Sequence, residues 1–137
     1  MASGTYGRTS GTGTREGRSV MEKLMVFSLG DEVARLRQEE PWQEGDRNSR
    51  TLAKDVDFRV LLSVLRSGAE LQEDDGDARV SIQMLDGRAA LDVAGAEAQL
   101  EASQVAVVDV GQRWTLRALA DCALLLTLAW PREKAGI

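Results

Sequence analysis

The chain contains no histidine. That absence excludes an imidazole general base, a Ser-His or Cys-His couple and any His-ligated metal. Its one cysteine, Cys122, cannot form an internal disulfide. That residue stands in the apolar run from Cys122 to Ala129 and reads as a small buried hydrophobe rather than a reactive thiol. Proline is scarce, with two residues, while 43% of the chain is hydrophobic and 28% charged, which excludes collagen-like, mucin-like and wholly disordered classes. No apolar stretch approaches the ~20 residues of a membrane-spanning helix. The longest candidate, 118–130, is broken by Asp121. No apolar segment of the secretory kind stands near the N-terminus, so the expected location is the reduced cytoplasm. Seventeen basic residues face 22 acidic ones, without a Lys/Arg run. That balance argues against binding to nucleic-acid backbones.

What is present divides the chain into four parts. Residues 1–20 are mostly Gly, Ser, Thr and Arg, which bury too little surface to offset ordering entropy, so a disordered tail is expected. Residues 21–50 read as an N-terminal helical segment. Leu29, Val33 and Leu36 recur at helical spacing, Ser28 and Asp31 suggest a capping pair, and Pro41 marks the expected end, followed by Trp42. The single narrow apolar stripe predicts a surface helix that packs on something larger.

From 51 to 131 the pattern changes to short strands, followed by a C-terminal tail at 132–137. Strands are expected over 58–66, 79–85, 88–94, 98–100, 105–109, 114–119 and 122–129. In the second of these, Val80, Ile82 and Met84 alternate with Arg79, Ser81 and Gln83, so the two sets face opposite ways. Asp86-Gly87 stands between two runs and suits a tight type I′ hairpin. Evenly spaced strands with turn signals predict a sandwich or small barrel. The expected fold class is all-β with a short N-terminal helix.

The spacing of Gly68, the acidic loop, Gly87, Gly111 and Trp114, with the ending Leu124 to Pro131, resembles a small single-domain cupin, the double-stranded β-helix barrel. The resemblance covers roughly residues 51–131 and implies a cupin-like antiparallel β-barrel, or jelly roll. Such barrels hold iron, manganese, nickel or zinc through imidazoles and one carboxylate. In this chain the first two histidine positions fall on Asp74 and Gly76, the glutamate position on Val80 and the third histidine on Trp114. Ser103 and Gln104 stand where the family often has Gly and Asp. The resemblance therefore carries the barrel without the metal chemistry, and no cofactor is expected.

Two groups are candidate sites. Val80, Ile82, Met84, Trp114 and Leu116 share the barrel interior under this alignment. They form either an apolar pocket, with Trp114 as a stacking platform for a small molecule, or a filled core. Glu70, Glu73, Asp74, Asp75 and Asp77 place five carboxylates within eight residues. Asp74, Asp75 and Asp77 form either a site for a hard cation such as Ca²⁺ or Mg²⁺ or, as the missing alternation of oxygen ligands favours, a solvated acidic turn. No nucleophile motif or phosphate loop is present.

The leading expectation is a metal-free, non-catalytic barrel that binds a small organic ligand or serves as an interaction module. Homodimerisation through a sheet edge is what the resemblance implies, and covering an open edge is a physical reason for it. The alternatives are an enzyme that uses the acidic-loop carboxylates, with or without Mg²⁺ or Ca²⁺, and a structural protein that docks a partner through helix 28–40. Neither nucleic acid nor membrane is an expected partner.

Overall fold

The computed structural model describes residues 21–72 and 76–131. The expectations for 1–20, for 132–137 and for Glu73, Asp74 and Asp75 lie outside the described residues. In chain order the elements are α1 (Leu29–Leu36), α2 (Glu40–Glu44), β1 (Arg47–Asp55), β2 (Phe58–Leu65), β3 (Glu70–Gln72), β4 (Arg79–Asp86), β5 (Arg88–Val93), β6 (Ala96–Glu101), β7 (Val105–Val108), β8 (Trp114–Ala118) and β9 (Cys122–Ala129). The strands form a five-stranded sheet, β1-β2-β9-β4-β7, and a four-stranded sheet, β3-β8-β5-β6. Every pairing given for them is antiparallel. The fold is the all-β barrel expected from the strand pattern. Among the described residues no helix is long and apolar enough to cross a membrane.

The helical segment differs from its expected form. α1 stops at Leu36, and Pro41 stands in the first turn of α2 instead of ending α1. A proline costs nothing there, because its missing N–H would lack an intrahelical partner anyway. Ser28 occupies the N-cap position without a side-chain capping bond, so the expected pairing with Asp31 does not form. The expected stripe is nonetheless the buried one. Val33 and Leu36, joined by Trp42, pack on Leu52, Leu62, Val64 and Ala123 of the large sheet. β2 is consequently covered on both faces where the helices lie, and from Val60 to Leu65 it is apolar except for Ser63.

β1 begins at Arg47, inside the segment read as helical. It is an edge strand with largely exposed or half-buried residues, and its polar sequence shows little alternation. A register shift between Thr51 and Ala53 turns Leu52 toward the helices.

Asp86-Gly87 is not a hairpin turn. β4 and β5 lie in different sheets, so these residues turn a corner between the layers. Gly87 has φ +81°, whereas Asp86 is not in the left-handed region. β4 already pairs with β9 on one side and β7 on the other, leaving no edge for β5. The two-residue turn with both φ values positive is Ala94-Gly95, at 54° and 87°, which joins β5 to β6.

Helices and corner are tied together by charge. Arg37 at the end of α1 makes two 3.1 Å hydrogen bonds to the Asp86 carboxylate. Two guanidinium groups lie over the Trp42 ring, Arg66 at 4.0 Å and Arg37 at 5.3 Å from its centre.

Candidate functional site

The barrel interior is built from the alternation of its strands. On β4, Val80, Ile82 and Met84 turn inward, and on β8 Trp114, Leu116 and Ala118 do the same. The five expected interior residues, Val80, Ile82, Met84, Trp114 and Leu116, belong to one buried cluster between the sheets. Ser81 and Gln83 take the opposite face and stand beside Val107 and Val105 of β7 in register. Ser63 is the one buried polar residue among those described. Its register partner is the inward-facing Leu124, which gives the core a hydroxyl.

Polar groups gather at one end of this interior. The strand starts and ends there place Arg59, Leu128, Val80 and Val108 in one register row across the large sheet. Trp114 and Val93 form the corresponding row of the small sheet. Trp114 is 5% exposed, and its indole Nε1–H has no hydrogen-bond partner among the described residues. Arg59 lies over the Trp130 ring at 5.3 Å. Its Nε–H is also buried without an acceptor among the described residues. The Trp130 backbone N–H donates to the Asp57 carbonyl at 3.0 Å, which holds the ring beside the start of β2.

Arg59, Trp130 and Ser63 were not singled out in the sequence. The signal for Arg59 was available in its spacing from Leu61, which packs on the interior cluster. A charged residue at such a position reads as solvent-facing until the strand's two faces are assigned.

The positions that would carry a cupin metal do not fit one. Gly76 offers no side chain, Val80 is apolar, and the Trp114 Nε1–H donates a proton and has no lone pair for a metal. Asp74, at the remaining histidine position, lies outside the described residues. Among the described residues no three His, Cys, Asp or Glu side chains come together as a metal site. Asp77 of the acidic loop is described and exposed, while Asp74 and Asp75 are not described.

Cys122 is fully buried, as the apolar run predicts. Burial pushes its thiol up to about 11, with the Asp86 carboxylate acting in the same direction and Arg37 opposing it. It has none of the acidity of a nucleophilic cysteine.

No protein-family model and no curated protein matches this chain. Solved structures do. A conserved protein of unknown function from Streptococcus pyogenes is 20% identical, with a TM-score of 0.63, over 82% of this chain and 93% of that one. A cupin superfamily protein from Desulfitobacterium hafniense is 16% identical, with a TM-score of 0.60, over 64% of this chain and 81% of that one. A cupin-2 domain protein from Shewanella frigidimarina is 16% identical, with a TM-score of 0.58, over 74% and 92%. Likeness at this identity is one of fold. Two facing antiparallel sheets in this strand order, and these structural relatives, give the chain the fold of a small cupin.

Proposed function

We propose that this barrel is a non-catalytic binding domain that takes a small organic molecule into its interior against Trp114. The observation that carries the reading is the indole Nε1–H of Trp114, buried and without an acceptor among the described residues. A buried donor left unsatisfied costs about 1–3 kcal/mol. A ligand that supplies an acceptor removes that cost, and the apolar neighbours Val80, Ile82 and Leu116 offer it a hydrophobic wall. A cytoplasmic setting agrees with a free, buried cysteine.

Native mass spectrometry of the untagged protein, with elemental analysis of the same sample, tests this. The expected result is a retained or titratable small organic mass on the wild type that Trp114→Phe binds less well. A protein that takes up no small molecule from a fragment library, with the Trp114 indole N–H resonance unmoved throughout, overturns the reading.

A second copy of the chain is the partner favoured by β7. This strand pairs with β4 on one side only, and Val105 and Val107 are 56% and 69% exposed. An edge without charge or proline is a template for further pairing. Antiparallel β7–β7 pairing about a twofold axis is self-complementary, because each valine pair meets its own copy. Light scattering is expected to give twice the chain mass, and Val107→Lys to return it to one. A monomeric wild type at high concentration overturns the pairing.

A further inference from the structure

We propose that the Arg59–Trp114 end of the barrel holds the carboxylate of a small organic acid, whose carbon body lies on Val80, Leu128 and Val93. This rests on the barrel being a binding domain and names the chemistry of its ligand.

The argument begins with register. Arg59 pairs with Leu128 of β9, and Leu128 pairs with Val80 of β4. Val80 is in the interior cluster and Leu128 packs against it, so Arg59 belongs to the row that faces inward. Trp114 pairs with Val93 in the opposite sheet, and both belong to the same interior cluster or pack on it. β4 runs toward the Gly87 corner and β5 away from it. β8 runs toward the Asp121 corner and β9 away from it. The start of β4, the end of β5, the start of β8 and the end of β9 therefore lie at one end of the barrel. That places Arg59 and Trp114 at the same end, on facing sheets.

Both residues bring a buried N–H donor with no acceptor among the described residues, Nε of Arg59 and Nε1 of Trp114. None of the ion pairs among the described residues includes Arg59. Its guanidinium rests on the Trp130 ring, which orients the fork without neutralising its charge. Two unmet donors, one of them cationic, call for an anionic acceptor. A carboxylate has one charge and two acceptor oxygens, which suits a guanidinium fork and one indole donor. A phosphate dianion brings more charge than one guanidinium offsets beside Val80, Leu128 and Val93.

The test compares charge at constant shape on the full chain. Butanoate, hexanoate and octanoate are titrated against the matching primary amides, followed by calorimetry and by the Trp114 indole N–H resonance, assigned with Trp114→Phe. The acids are expected to bind at least about tenfold more tightly than the amides and to shift that resonance saturably. Arg59→Gln is expected to abolish the preference for the acids. Arg59→Lys, which keeps the charge and stem and guards against a folding defect, is expected to retain part of it. Amides that bind as well as acids overturn the carboxylate assignment and leave the binding-domain reading standing. If neither series binds and the resonance never moves, both fail. If Arg59→Gln binds the acids like the wild type, Arg59 is only a clasp on Trp130.

Discussion

Gly87 packs so closely on Cys122 that it has no room for a side chain: a Cβ built on Gly87 would stand 2.5 Å from the Cys122 Cβ. The Asp121 carbonyl crowds the same space, and the Gly87 φ of +81° disfavours any side chain. These two residues sit where the chain leaves one sheet for the other, at the corners that end β4 and begin β9. Gly87→Ala therefore combines overpacking with backbone strain, and about 2–5 kcal/mol of lost stability is expected in urea unfolding. Gly95→Ala is the control. Its φ is +87°, but nothing lies within 4 Å of the added Cβ, so only about 1 kcal/mol is expected.

Cys122 is expected to resist thiol reagents in the folded protein at pH 8 and to react at the rate of unfolding. Alkylation followed by mass spectrometry, with and without denaturant, checks this. The same raised pKa sets a pH dependence. The unfolded thiol ionises near pH 9 and the folded one near 11, so the unfolded state holds fewer protons between those values. The contribution to stability is complete below about pH 9 and is lost as pH rises through 11. Cys122→Ala is expected to flatten the fall in stability across that window.

Trp42 is 6% exposed and joins the helices to the large sheet, with Arg37 and Arg66 over its ring. Trp42→Ala is expected to cost about 3–5 kcal/mol, read from the denaturation midpoint. Hydrogen exchange should rise first in α1 and α2, which pack on the barrel through this residue.

Trp114 makes a contrasting case. Trp114→Ala opens a cavity and should cost about 3–5 kcal/mol. Trp114→Phe removes ring area but also deletes a buried donor that has no acceptor. The two effects oppose, and a net change within about 1 kcal/mol is expected without ligand. A loss as large as that of the alanine variant would show that the indole N–H is satisfied in solution.

Asp109 is held below the usual carboxylate range by its hydrogen bonds from Arg79, at 2.8 and 3.0 Å. A depressed carboxylate pKa contributes stability above the unfolded value, near 3.8, and loses it as pH falls through the folded one. Arg79→Gln should raise the Asp109 pKa toward that value in a carboxyl-carbon NMR titration, with little effect on global stability because the pair is exposed.

By itself the sequence determined what depends on composition and on one strand at a time. The absence of histidine removed imidazole chemistry, and the alternation of Val80, Ile82 and Met84 assigned the inner face of β4, because side chains on a strand alternate with period two whatever lies beside it. Only the tertiary structure decided what depends on neighbours. Asp86-Gly87 has a hairpin's residues, yet it turns a corner because both edges of β4 are taken by β9 and β7. β1 carries polar residues along an exposed edge and was legible only through its pairing with β2. β2 hides its two faces because helices cover one and the barrel core covers the other, so Arg59 could be placed inward only by its register with Leu128. Which residues meet across a barrel is set by long-range pairing and burial, and local sequence preference yields where the two disagree.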